Sequence, residues 1–169
     1  RLGTKLKPVS GVLHFAYGKY WLIPTSLIQA ELTFRPQAPE TPPYTKLSLS
    51  HLNLKNLFNG NGDGTGFPTS RGAKTYKDYQ FQLSKIAHNF HEMNTNIIAV
   101  SEIENDGYNA QSTIADLVNA INKHRESNFY HYATLSKETE FQSSDAITQG
   151  FLFQPDFIEV SETKFLSLQ

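Results

Sequence analysis

The stretch N-I-I-A-V-S-E-I-E-N-D-G, residues 96–107, decides how the rest of the chain is read. Its first part, N-I-I-A-V-S-E, is a short apolar run rich in β-branched residues, which reads as a buried strand that closes on a carboxylate. Such a strand mounts Glu102 rigidly at the carboxyl edge of a sheet, where open α/β folds bind their ligands. Glu102 is thus a candidate ligand for a hard cation such as Mg²⁺, which takes one or two protein carboxylates and leaves room for a substrate phosphate. On spacing alone an exposed acidic turn explains the same residues, and Glu104 and Asp106 read as turn residues rather than ligands.

Toward the amino terminus, Tyr79, Leu83, Ile86, Ala87 and Phe90 recur with helical spacing and predict an amphipathic helix of about four turns packed on a sheet. Before it lies the glycine-rich loop N-G-N-G-D-G-T-G-F-P (59–68), and before that L-S-L-S-H-L-N-L (47–54) alternates as a strand. A change of phase near His51 marks either a bulge or a strand buried on both faces. Toward the carboxyl terminus, Ile114, Leu117, Val118 and Ile121 form a second helical stripe, with the spacing of a capping box from Thr113 to Asp116. Residues 129–133 and 147–153 read as strands, Pro155 ends the latter, and 157–160 are its expected hairpin partner. This order predicts an α/β (α+β) fold in which helices pack against a sheet that becomes increasingly antiparallel.

At the front, G-V-L-H-F-A-Y-G-K-Y-W-L-I-P (11–24) places two apolar and aromatic runs around a Tyr17-Gly18-Lys19 turn, a hairpin pattern, and residues 26–34 read as one more strand. Residues 1–34 are too few to enclose a core and read as the end of a small β-rich domain or as an extension lying on the next one. The segment 35–46 carries four prolines and reads as an interdomain linker. The remaining residues, 47–169, form the α/β part.

The chain contains no cysteine, which excludes disulfides, thiolate metal sites and cysteine nucleophiles. No apolar run approaches the length of a membrane span. The net charge of −1 conceals an asymmetry, +7 through His91 and −8 from Glu92 onward. An acidic half suits divalent cations and a basic half a polyanion, although two solvated faces that neutralise each other explain the same count. The chain opens at Arg1 without an apolar signal core and reads as a processed product or an excised piece.

Asn53 places an amide where an apolar residue would pack better, which fits a phosphate-orienting or hydrogen-bonding role, or a strand residue facing solvent. Lys55 and Asn56 are weaker candidates of the same kind. The loop 60–66 lacks the Gly-Lys-Ser/Thr of a phosphate loop and the closing Glu of an EF-hand, so it reads as a flexible connection, with Ca²⁺ as its open alternative. His88 and His91 share a helix face but lack an evident third ligand, and His14, His51, His124 and His131 have no recognisable partners. No G-x-S-x-G stretch points to a serine hydrolase.

Six blocks occur in a specific order: S-H-L-N-L-K-N-L-F-N (50–59), G-F-P-T-S-R-G-A (66–73), Y-Q-F-Q-L-S-K-I (79–86), V-S-E-I-E-N-D-G (100–107), S-T-I-A-D-L-V-N-A-I-N (112–122) and S-D-A-I (144–147). Together they resemble the secreted bacterial extracellular nucleases (ExeM/NucH type) of the endonuclease/exonuclease/phosphatase superfamily, relatives of deoxyribonuclease I. The front segment resembles the end of the OB-like β domain that often precedes the nuclease domain in these proteins. The resemblance implies the first half of a four-layer α/β/β/α sandwich. By position, Asn53 matches the first-strand Asn of the superfamily's metal and phosphate network, Glu102 matches its metal-binding Glu, and Asp145 falls in a block before a strand that borders the active site.

The function so implied is phosphodiester hydrolysis of DNA, with RNA as the alternative substrate, dependent on Mg²⁺ or Mn²⁺, by a secreted, extracellular endonuclease. Thr148 and Phe153 depart from the Lys and terminal Tyr that family members tend to have after S-D-A-I. The G-D-x-N and S-D-H motifs of the second half do not occur in this chain. The expectation is therefore a half domain with one face of its sheet unpacked, inactive alone, whose partner is the carboxyl-terminal half of the same domain. Two other readings stay open: a different phosphodiesterase or phosphatase of the superfamily, and a non-catalytic nucleic-acid-binding module.

Overall fold

The computed structural model of the 169-residue chain describes residues 4–31, 47–123, 125–126, 129–135 and 144–164. The linker expected over 35–46 and His124 lie outside the described residues. The chain divides into two units, Arg1–Pro43 and Tyr44–Gln169.

In the first unit, β1 (Lys5–Leu6) pairs antiparallel with β4 (Ala30–Glu31), and β2 (Gly11–Ala16) pairs with β3 (Lys19–Pro24). Lys19 pairs with Ala16, so the hairpin turn is Tyr17-Gly18 alone, both residues at positive φ, as a tight two-residue turn requires. The strand expected over 26–34 is reduced, among the described residues, to Ala30–Glu31. Both faces of the hairpin carry apolar side chains, with the Phe15 and Tyr20 rings 4.9 Å apart, and no described residue of this unit is buried.

The second unit is mixed α/β. Its sheet has the order β5 (Leu49–Leu57), β6 (Ile97–Glu104), β8 (Ile147–Phe153), β7 (His131–Tyr132). β5 and β6 run parallel, while β8 is antiparallel to both its neighbours. The crossover between the parallel strands is α1 (Tyr76–Met93), capped by Thr75, whose hydroxyl oxygen accepts from Asp78 N, and ended by Asn94 in the left-handed region.

The second helix, α2 (Thr113–Asn122), is capped one residue earlier than its sequence predicts. Ser112 accepts from Ala115 N, and the Thr113 hydroxyl turns instead toward the carboxylates of Glu104 and Asp106. Residues 157–160 are turn and coil rather than a strand, because Gln154 O accepts from both Phe157 N and Ile158 N and curls the chain away from β8.

Tyr79, Ile86, Ala87 and Phe90 of α1 and Ile114, Leu117, Val118 and Ile121 of α2 bury one face of the sheet, through Leu54, Ile98, Val100 and Leu152. Cross-strand register places Leu49, Ile97 and Phe153, then His51, Ala99 and Phe151, then Asn53, Ser101 and Gln149, on the other face. No described element covers that face, and Leu49 and Phe151 are 63% and 52% exposed. At the edge opposite the carboxyl ends of β5 and β6, Asn96 Oδ1 accepts from Ser48 N at 2.9 Å and Asn96 Nδ2 donates to Gln154 Oε1 at 3.1 Å, which pins the three long strands in register.

Candidate active-site edge

The regular ladder breaks at the carboxyl ends of the parallel strands. Asn53 pairs with Ser101, and the next pair is Leu57 with Ile103, so β5 spends two more residues than β6 over the same span. Across the other side of β6, Ser101 pairs with Gln149 and Ile103 with Thr148, which leaves Glu102 as an extra residue. The extra residues sit in the left-handed region, with φ of 55° at Lys55, 56° at Asn56 and 57° at Glu102. Without that bulge, strict alternation would aim Glu102 at the same face as Ile98 and Val100, into the apolar layer under the helices. With it, Ile103 takes the buried position and the carboxylate is released to the rim.

Non-glycine residues at positive φ are uncommon, and three in adjoining strands need surroundings that hold them. Asn53 Oδ1 accepts from Lys55 N at 2.8 Å, and Gln82 of α1 reaches over to donate to Leu54 O at 2.9 Å. Gly72 lies so close to Asn56 that a Cβ there would collide with the Asn56 carbonyl oxygen, and its φ of 86° is itself a glycine conformation.

Asn53 Nδ2 donates to Glu102 Oε1 at 2.7 Å, which joins two residues 49 positions apart. The amide thereby does two things: its oxygen holds the bulge and its nitrogen orients the carboxylate. Among the described residues Glu102 Oε2 takes no hydrogen bond. This oxygen, on a side chain set in the rim, suits a hard divalent cation, which needs only one or two protein carboxylates when phosphate and water complete its shell. Among the described residues no three His, Asp or Glu side chains are grouped so as to hold a metal ion.

Asp145 stands just before β8 at the same edge of the sheet. Its carboxylate pairs with Arg71 Nη1 at 3.2 Å, and its carbonyl accepts from Asn105 Nδ2 at 3.0 Å. Arg71 has no periodic or spacing signal in the sequence, and only the fold carries it from the loop before α1 to the start of β8. Lys55 and Asn56 serve as the bulge. The glycine-rich loop is ordered by its own polar residues: Asn61 Nδ2 donates to Thr65 Oγ1, and Thr65 donates through N and Oγ1 to Asp63, whose carboxyl is held below the usual range by those bonds. His88 and His91 are exposed on α1, His51 and His131 lie on the open sheet face, and His14 faces Trp21 across the hairpin.

Glu104 and Asp106 are not the plain turn residues that their spacing suggests. Both fold back against the first turn of α2, where burial raises the pKa of each above the ordinary carboxylate range. No described helix is long and apolar enough to cross a membrane. Compared with known proteins, the chain matches no family model, no curated protein and no solved structure.

Proposed function

We propose that this chain is part of a metal-dependent phosphodiesterase, a secreted endonuclease acting on DNA, with Glu102 as metal ligand and Asn53 as the residue that orients it. The observation that carries this reading is the 2.7 Å hydrogen bond from Asn53 to Glu102 at the carboxyl edge of two parallel strands, made possible by a bulge in each. A strained backbone that re-aims one carboxylate off the apolar face is the kind of feature that accompanies a working site. When bound there, Mg²⁺ or Mn²⁺ supplies a Lewis acid that stabilises the charge gathering on a phosphate.

In this reading Asn53 fixes the Glu102 rotamer by donating to one of its carboxylate oxygens. Arg71, opposite Asp145 on an exposed rim, is the cationic group that would meet a nucleic-acid phosphate. The group that activates water comes, in this reading, from outside this half of the domain, because the G-D-x-N and S-D-H motifs do not occur in the chain. The open sheet face, on which Asn53 itself stands, is where a second half of the domain would seat to complete an α/β/β/α sandwich and bring that group. The isolated chain is accordingly inert.

The test is cleavage of supercoiled plasmid against release of inorganic phosphate from small esters, using the longest form of the protein that contains this chain. Nicking that requires Mg²⁺ or Mn²⁺ and stops with EDTA supports the reading. Phosphate release without nicking makes it a phosphatase instead, and salt-sensitive DNA binding indifferent to EDTA makes it a binding module. Robust nicking by the 169-residue chain alone contradicts the requirement for a second half.

A further inference from the structure

The glycine-rich loop repeats one dipeptide, Asn59-Gly60 and Asn61-Gly62, and follows it with Asp63-Gly64. In such a pair the backbone nitrogen of the glycine can close a succinimide ring on the preceding side chain, because glycine brings no Cβ to obstruct the approach. An asparagine then loses ammonia and becomes aspartate or isoaspartate, a covalent change that adds a charge. The fold gives the three pairs three different environments.

Asn59 is 1% exposed, and both of its reacting groups are engaged. Its Nδ2 donates to Gln111 O at 2.7 Å and to Asp116 Oδ2 at 3.1 Å, while Glu104 accepts a hydrogen bond from the Gly60 backbone nitrogen. Ring closure there would break these bonds inside the protein, so the fold protects Asn59. Asp63 is exposed but chemically protected: ring closure on an aspartate needs the neutral carboxyl, and the bonds from Thr65 N and Oγ1 hold this one ionised. Asn61 has neither protection. It is exposed, and its Nδ2 donates at 3.0 Å to an equally exposed partner, the Thr65 hydroxyl oxygen. The Gly62 nitrogen that must attack it is held by a long, weak bond of 3.4 Å to Asn59 O.

We propose that Asn61, and not Asn59, is a deamidation site, modified in the folded protein by its own backbone and water. The Gly62 nitrogen, on losing its proton, bonds to Asn61 Cγ; the Cγ–Nδ2 bond breaks, and Nδ2 leaves as ammonia after taking up a proton in place of the one released. Water then opens the ring at Cγ to leave aspartate, or at the main-chain carbonyl of residue 61 to leave isoaspartate. Either product is a carboxylate that donates nothing, so the bond to Thr65 Oγ1 is lost and a second negative charge joins Asp63 in the loop. Isoaspartate also inserts a methylene into the backbone beside Gly62, which packs so closely on the Gln111 carbonyl oxygen that not even a Cβ would fit. The modification therefore loosens the loop that joins β5 to α1, whatever the role of Glu102.

The test ages the longest form of the protein that contains this chain in mildly alkaline buffer, folded and in urea, and maps aspartate and isoaspartate by peptide mass spectrometry. In the folded protein Asn61 is expected to convert at least about tenfold faster than Asn59, which reacts only from locally opened states, while in urea the two convert at comparable rates. Limited proteolysis supplies the second readout: aged wild type and fresh Asn61→Asp are cut faster within residues 59–68 than fresh wild type. Ageing leaves the cleavage of Asn61→Gln unchanged, because its longer side chain closes a ring far more slowly. Conversion of Asn59 as fast as Asn61 in the folded protein would show that burial protects nothing, and conversion of Asn61 in urea alone would show that the Thr65 bond locks it. Either result would overturn the proposal, as would aged wild type cut no faster than fresh.

Discussion

Glu102 is held at a φ of 57°, a conformation that an L-residue with a side chain adopts at a cost of about 1 kcal/mol or more. Glycine carries no such penalty there. Glu102→Gly is therefore expected to leave stability unchanged or raise it by up to about 1 kcal/mol in urea denaturation, although it removes the carboxylate. A loss of more than about 1 kcal/mol would show that the side chain is needed for folding rather than for a site.

Tyr79 and Tyr130 give a second expectation for single residues. Burial, reinforced at Tyr79 by the Asp116 charge 2.9 Å from its hydroxyl, raises both phenols above their ordinary pKa. The unfolded chain releases these protons near pH 10 while the folded chain keeps them, so the native state binds more protons above that pH. Their contribution is fully present below pH 10 and is lost as pH rises beyond it. Tm should fall in alkali, and less steeply in Tyr79→Phe. An equal slope in that variant would contradict the assignment.

At the scale of the elements, the helices and long strands were legible because their apolar spacing is local: Tyr79, Ile86, Ala87 and Phe90 report a helix face without reference to any other segment. The bulges were only half legible. The phase change was visible near His51, but the backbone departs at Lys55 and Asn56, where β5 must accommodate β6. The Ser112 cap was displaced from the predicted Thr113 because Thr113 is drawn into the cluster of Glu104 and Asp106, partners seven and nine residues away that spacing does not reveal. Asn53 was legible as a polar interruption of a strand and Glu102 as the carboxylate on which a strand closes, whereas Arg71 and Asn59 gain their partners only through tertiary packing.

Packing between layers is tight where β8 passes under α2. A Cβ at Gly150 would lie 2.7 Å from Ile114 Cδ1 and 3.2 Å from Val100 Cγ2. Gly150→Ala should destabilise by about 1–3 kcal/mol as those side chains are displaced. The same substitution with Ile114→Val, which shortens the offending side chain, should cost less than the sum of the two changes, and strict additivity would argue against the contact.

On the scale of the whole molecule, the sheet of the second unit has one face under two helices and one face of Leu49, Ile97, Phe151 and Phe153 that no described element covers. Large exposed apolar patches on folded proteins commonly mark interaction surfaces. Phe151→Ser should leave stability within about 0.5 kcal/mol of wild type in the chain alone, since nothing described packs on it, while raising solubility. A large loss of stability would mean that the face is covered within this chain.

The proposed role of Glu102 as a metal ligand for phosphodiester hydrolysis is tested most directly by Mg²⁺-dependent plasmid nicking by the longest form of the protein, wild type against Glu102→Gln. Loss of a metal ligand should lower the rate at least about a hundredfold with Tm nearly unchanged. Nicking that survives Glu102→Gln at an undiminished rate would contradict the account.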